Sequence, residues 1–376
     1  MSGLEGVTAA QSSICFIDGA KGILSYRGYD INELAPHATF EEVVFLLWEG
    51  RLPTAGELAP FKADLAGHRA LPPAAKRILA DVADKMPPMD ALRTVVSALA
   101  ADRRDADAYD VATDRLKAVE ATAQVATIIA QYHRLRLGLP VVEPDATLDH
   151  AANFLWMLNG TKPTAAAERA LDVALILHAD HDLNASTFSA RVTAATLSDF
   201  HSAITSAVGT LKGPLHGGAN IGVMKMLLDI DESGEEPAAY VRRKLQAKEK
   251  IMGFGHRVYK TLDPRAVHLA GLSKGLAEQA GDMKWYDMSV AVQKAVKEEK
   301  GLDANVDFFS ASSYYTMGIP MDLFTPIFAL ARVAGWAAHV LEQHGDNRLI
   351  RPLSDYTGEK GKKWVGIEDR EKVVKA

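Results

Sequence analysis

Between Pro326 and Leu341 the chain reads PIFALARVAGWAAHVL, with one charged side chain, Arg332, and one histidine, His339. A helix that is apolar all round belongs inside a protein, so this stretch must sit in the main core and the rest of the chain must cover it. The material is there: 376 residues, 48% of them hydrophobic, enough for about two domains at roughly 150 residues each. Burying the one guanidinium is costly unless an anion faces it. That anion is either a structural carboxylate or the carboxylate of a ligand, and the planar fork of arginine suits the second.

Most of the remaining sequence reads as helix. Residues 14–26, ICFIDGAKGILSY, place two β-prone apolar runs around a glycine-containing turn and predict a short hairpin. After Asp30 the signals are helical. Thr39 with Glu42, and Thr54 with Glu57, have capping-box spacing, and Gly50 stands where the first of these helices would stop. Pro72-Pro73 and Pro87-Pro88 begin two more, since proline is tolerated in a first turn. Residues 101–112 are polar and read as a loop. A long helix follows over 113–137, ended by Gly138, with others over 148–159, 164–180 and 186–211. Nothing alternates strand with helix, so the fold class is all-α with a small N-terminal β-hairpin. Residues 217–320 are richer in charge and glycine and read as a small domain. It would interrupt a large helical domain made of residues 1–216 and 321–376, the latter ending in a charged C-terminal arm.

A net charge of -6 argues against a general nucleic-acid or membrane-surface binder, so any anion site must be a local basic pocket. The single cysteine, Cys15, excludes an intrachain disulfide framework and a cysteine-rich metal site, and it fits a reducing cytoplasm. The N-terminus has neither a basic region nor an apolar run, so no signal peptide is expected, and no uninterrupted apolar run is long enough to predict a membrane span.

Four segments carry the chemistry. In IMGFGHRVYKTLDPR, 251–265, Gly253 and Gly255 flank Phe254, and His256 follows among Lys250, Arg257 and Lys260, with Arg265 beyond the Asp263-Pro264 break. A bendable loop, one imidazole and several cations suit an anionic substrate, though a solvated basic loop has the same composition. In HADHDLNAST, 178–187, His178, Asp180, His181 and Asp182 crowd a helix end, as either capping groups or metal ligands of the kind helical metal-dependent phosphohydrolases use. In LKGPLHGGAN, 211–220, His216 precedes a helix start, whose positive potential would lower its pKa and keep it a neutral hydrogen-bond donor. In NVDFFS, 305–310, Asp307 lies among Val306, Phe308 and Phe309, where burial would raise its pKa toward that of a general base; an N-cap is the plainer role. Arg351, before Pro352, is a further candidate anchor. Without a GxSxG, a P-loop or a dinucleotide fingerprint, this inventory suits proton abstraction beside a carbonyl.

GPLHGGAN, GFGHRVYKTLDPR and NVDFFS, in this order and spacing, resemble the catalytic segments of the citrate synthase family, and the resemblance runs from CFIDGAKGILSYRGYDI to NRLIRP. It implies an all-α enzyme of two domains that works as a homodimer in the tricarboxylic acid cycle and closes over oxaloacetate and acetyl-CoA. Asp307 would be the base that removes a methyl proton from acetyl-CoA. His216 would donate to the thioester oxygen and His256 to the oxaloacetate carbonyl. His181, Arg265, Arg332 and Arg351 would hold oxaloacetate, with Arg351 reaching the neighbouring subunit. Gly253, Phe254 and Gly255 would receive the adenine of CoA, and Lys250, Arg257 or Lys260 its phosphates. No metal and no tightly bound cofactor is implied, so the 178–182 cluster becomes a substrate-binding segment. 2-Methylcitrate synthase, which uses propionyl-CoA, shares these residues and is the alternative. Ala311 stands where the family commonly has glycine, and the N-terminal extension of the NADH-inhibited hexameric members is missing, so a dimer without that regulation is expected.

Overall fold

The computed structural model describes residues 3–4 and 6–370. The predicted hairpin is present as β1 (Cys15–Asp18) and β2 (Ile23–Tyr26), antiparallel, with Cys15 opposite Tyr26. A third strand, β3 (Tyr29–Asp30), extends the sheet in the order β1-β2-β3. Its turn has positive φ at both Arg27 (48°) and Gly28 (87°), as right-twisted two-residue hairpin turns require. Arginine seldom takes that conformation, which hid the strand from the sequence. The Arg27 side chain offsets the strain by donating twice to the carbonyl of Leu47.

Sixteen α-helices follow among the described residues. The first five are α1 (Ile31–His37), α2 (Phe40–Glu49), α3 (Ala55–Gly67), α4 (Pro73–Val82) and α5 (Pro88–Ala98). The capping boxes hold: the Glu42 carboxylate accepts from the Thr39 amide, and the Glu57 carboxylate from the Thr54 amide. Pro73 and Pro88 occupy first-turn positions, as expected. α6 (Val111–Arg136), capped by Asp110, starts two residues before the predicted boundary, and α7 (His150–Asn159) and α8 (Ala165–His178) come next. The single helix predicted over 186–211 is two, α9 (Ala185–Ala194) and α10 (Phe200–Leu211). Leu197 is left-handed there (φ 62°), and Asp199 caps the new start by accepting from the Ser202 amide, a local bond that outcompetes helix continuation.

The later helices are α11 (Ala219–Ser233), α12 (Pro237–Gln246), α13 (Pro264–Ala280), α14 (Lys284–Lys300), α15 (Val306–Thr316) and α16 (Phe324–Gly345). α16 contains the apolar stretch 326–341, and nearly every side chain on it is buried. Among the described residues it is the one helix long and apolar enough to cross a membrane, and α2, α5, α6, α8, α9 and α10 enclose it. Helices α11 to α15 pack chiefly on one another, with α13 also reaching α1 and α8. The apolar core runs unbroken through both groups.

Candidate active site

The site forms where the C-terminal end of α8, the loop before α11, the loop before α13 and the start of α15 meet α16. A short antiparallel pairing joins two of these pieces. Phe254 bridges Ala304, the Asn305 amide donates to Gly253 O (2.9 Å), and the Gly255 amide donates to Asp303 O (3.2 Å). Asn305 Nδ2 adds a bond to Gly255 O at 2.9 Å, and the Phe254 ring lies 4.6 Å from that of Phe308. Both glycines are left-handed (φ 84° and 73°), and a Cβ on Gly253 would meet Val223 and Phe308 within 2.8 Å. The GFG bend therefore ties His256 to the segment that presents Asp307. Several of its main-chain groups, expected to face CoA, are engaged inside the protein.

Three histidines hold defined states. The Val258 and Tyr259 amides approach His256 Nδ1 at 3.0 and 3.3 Å. An amide only donates, so Nδ1 carries the lone pair and Nε2 the proton. Burial first, then the charge of Arg265, pushes the His256 pKa down to about 4. His216 is also pushed down to about 4, by burial and then by Arg332. A helix N-terminus does meet this imidazole, but it is that of α9 rather than the expected α11: the Ser186 amide points at His216 Nε2 (3.3 Å) and Ser186 Oγ lies at 2.8 Å. The proton of His216 is therefore on Nδ1. His181 lies against Tyr259 (Nε2 to Oη 3.2 Å), its ring 5.3 Å from that of His256, and burial together with Arg265, His256 and Arg332 keeps it neutral.

Asp307 sits in the first turn of α15 but does not cap it. Asn305 is the cap, its Oδ1 accepting from the Asp307 amide at 3.0 Å. The Asp307 carboxylate has a buried Oδ1 with no partner, and burial raises its pKa to about 6 against the pull of Arg265 and Arg332. The two buried arginines differ. Arg265 makes a two-pronged pair with Asp263 (2.9 and 2.8 Å), which outweighs burial and holds the guanidinium above its ordinary pKa. Arg332, 1% exposed, donates only its Nε, to His178 O at 2.6 Å. Its terminal nitrogens bond no described residue, its charge lies 4.7 Å from the centre of the Phe328 ring, and burial pushes its pKa down to about 10. A buried guanidinium in that state calls for an anion.

The 178–182 cluster does not converge. His178 Nδ1 donates back to Ala174 O, Asp180 faces His339, and His181 turns to Tyr259. Among the described residues no group of three or more His, Cys, Asp or Glu is arranged to hold a metal ion. Beside His256 opens a pocket of about 240 Å³ lined by Gly255, Tyr259, Lys260, Asp303 and Asn305 among others. Lys260 borders it; Lys250 and Arg257 are exposed and are not part of its lining. Arg351 is exposed on the extended segment after α16 and bonds no described residue, so it does not join the others within one chain. Sequence reasoning missed Ser186, Tyr259 and Asp263. Asp263 had a signal, since a cap before proline two residues from an arginine invites pairing; Ser186 had none.

A family model, Citrate synthase, C-terminal domain, matches residues 3–353. The chain belongs to the citrate synthase family. It is 54% identical over 98% of both chains to a citrate synthase of Haloferax volcanii, and 51% identical over the same shares to citrate synthase 2 of Bacillus subtilis. A 2-methylcitrate synthase of Shewanella oneidensis is 42% identical over 98% of each chain. A citrate synthase of Thermoplasma acidophilum, solved as a ternary complex with carboxymethyl coenzyme A and oxaloacetate, superposes with a TM-score of 0.90 at 34% identity, over 98% of this chain and 99% of that one. The fold is therefore the all-α fold of citrate synthases, with the N-terminal sheet its only strands among the described residues.

Proposed function

We propose that this citrate synthase family member condenses acetyl-CoA with oxaloacetate and hydrolyses the resulting citryl-CoA to citrate and CoA. The observation that carries this reading is an unpaired, buried carboxylate of raised pKa that feels the same two arginines, Arg265 and Arg332, as two neutral imidazoles whose donor nitrogens are defined. Asp307 takes a proton from the acetyl methyl group. His216 donates its Nδ1 proton as a hydrogen bond to the thioester oxygen, where enolate charge develops. The enolate carbon attacks the oxaloacetate carbonyl while His256 Nε2–H supports the oxygen that becomes the hydroxyl. Arg332, Arg265 and His181 anchor oxaloacetate, and water releases CoA. Acetyl-CoA and CoA are co-substrate and product, with no tightly bound cofactor.

The CoA moiety is assigned to the pocket beside Gly255, with Lys260 toward its phosphates and Lys250 and Arg257 nearer the rim. The small domain, 217–320, closes on the remainder, 1–216 and 321–376, once oxaloacetate is bound. The protein is a cytoplasmic homodimer in which Arg351 completes the partner subunit's site. Higher identity to citrate synthases than to 2-methylcitrate synthases favours acetyl-CoA over propionyl-CoA. One methylene discriminates by only about 1–3 kcal/mol in an apolar pocket, so kcat/KM for the two thioesters is the deciding measurement. A preference for acetyl-CoA is expected; a clear preference for propionyl-CoA would make the protein a 2-methylcitrate synthase.

A further inference from the structure

We infer that the β1–β2 turn is a positioning element for His256, with Gly19 as its decisive residue. Asp18 Oδ1 accepts from the Ala20 and Lys21 amides, both at 3.1 Å, and so shapes the turn. The turn presses on the loop that carries His256. Lys260 donates its amide to Gly19 O at 2.8 Å. A Cβ at Gly19 would lie 2.2 Å from Val258 O and 2.8 Å from Val258 C, and these are backbone atoms that cannot swing aside. At Gly22 (φ 68°) a Cβ would meet Leu262 O and Thr261 Cγ2 at 3.0 Å, so the contact continues along the loop. Val258 is the link to chemistry, because its amide holds His256 Nδ1 while its carbonyl rests against Gly19. Moving Val258 displaces the nearer of the two amides, Val258 and Tyr259, that keep the His256 proton on Nε2. Gly19 touches no reacting atom; it acts through Val258, and the inference rests on the proposed role of His256.

The test compares wild type, Gly19→Ala, Asp18→Ala, His256→Ala and, as a glycine control away from the site, Gly56→Ala, which has open space around it. Gly19→Ala is expected to lose at least about tenfold in kcat and to raise KM for oxaloacetate, since small misplacements near the reacting atoms are that costly. Asp18→Ala loosens the turn and should show a smaller change in the same direction. Histidine NMR supplies the readout that mere destabilisation would not move. His256 starts near 4 and should titrate closer to the ordinary histidine value in Gly19→Ala, with His181, Tyr259, Arg265, Asp263 and Lys260 still facing it. Unchanged kcat and an unchanged His256 titration would overturn the inference, even if Tm fell. Should Gly19→Ala not fold, the same two measurements on Asp18→Ala decide. Full turnover in His256→Ala would instead refute the role of His256, and the titration of Gly19→Ala would still report on the clamp.

Discussion

Asp307, the proposed base, is a buried carboxylate kept at the expense of stability. Its pKa is about 6 in the folded protein against 3.8 for a free aspartate, so folding favours the protonated form. The associated stability is present below pH 4 and is lost as pH rises through 6, which makes the ionised group a burden at neutral pH. Asp307→Asn should therefore be equally or more stable at pH 8, by up to about 3 kcal/mol in chemical denaturation, while kcat falls by roughly 10²–10⁴-fold. Oxaloacetate affinity should survive, and turnover near wild type would show that another group is the base. In wild type kcat/KM for acetyl-CoA should fall below pH 6 as Asp307 protonates; His216 and His256, near 4, remain neutral there. The two arginines separate in the same way. Arg332→Leu removes an unpaired charge, so it should fold well yet bind oxaloacetate about 1.5–3 kcal/mol more weakly. Arg265→Leu strands Asp263 in the interior and should cost about 3–5 kcal/mol of stability as well. Calorimetry of both variants with and without oxaloacetate distinguishes a ligand anchor from a structural ion pair.

Among the elements, the junction of the GFG bend with the start of α15 does most of the assembly. Asn305 caps α15, pairs its amide with Gly253 O and holds Gly255 O with its side chain. Asn305→Ala keeps the backbone pairing but removes the cap and the side-chain bond. A loss of about 1–2 kcal/mol in chemical denaturation is expected, with a fall in kcat because Asp307 and His256 shift relative to each other. An unchanged kcat would mean that the backbone pairing alone sets their separation. Ala311, where family members commonly have glycine, lies buried within an uninterrupted α15, so the substitution leaves the helix regular.

For the whole molecule the proposed homodimer makes a testable claim about shared sites. If Arg351 completes the partner's site, an Asp307→Ala subunit paired with an Arg351→Ala subunit forms one intact site, since one chain supplies Asp307 and the other Arg351. A random mixture of the two inactive variants should then regain about a quarter of the wild-type sites after subunit exchange. No recovery would place Arg351 in its own chain's site or outside any site. Oxaloacetate at about 100 times its Kd should also stabilise wild type by roughly 2.7 kcal/mol, and Arg332→Leu should lose most of that shift in a thermal melt at the same concentration.

Local chemistry was legible without the fold. Capping boxes, prolines and apolar periodicity announced α2, α3, α4 and α5, and one charge in an apolar run marked Arg332 as a buried cation before any neighbour was known. The segments proposed for catalysis carried their own signals, because glycine bends and an aspartate among phenylalanines are unusual in any context. Pairings between distant segments were not legible. Ser186 reaches His216 across 30 residues, and Gly19 reaches Val258 across well over half of the chain. The sequence by itself determined which groups are available and what their intrinsic chemistry is. Only tertiary structure decided their working states: which nitrogen of each imidazole keeps its proton, which arginine is already paired, and how far burial moves each pKa. Those depend on desolvation and on partners brought together by packing, and no local pattern encodes either.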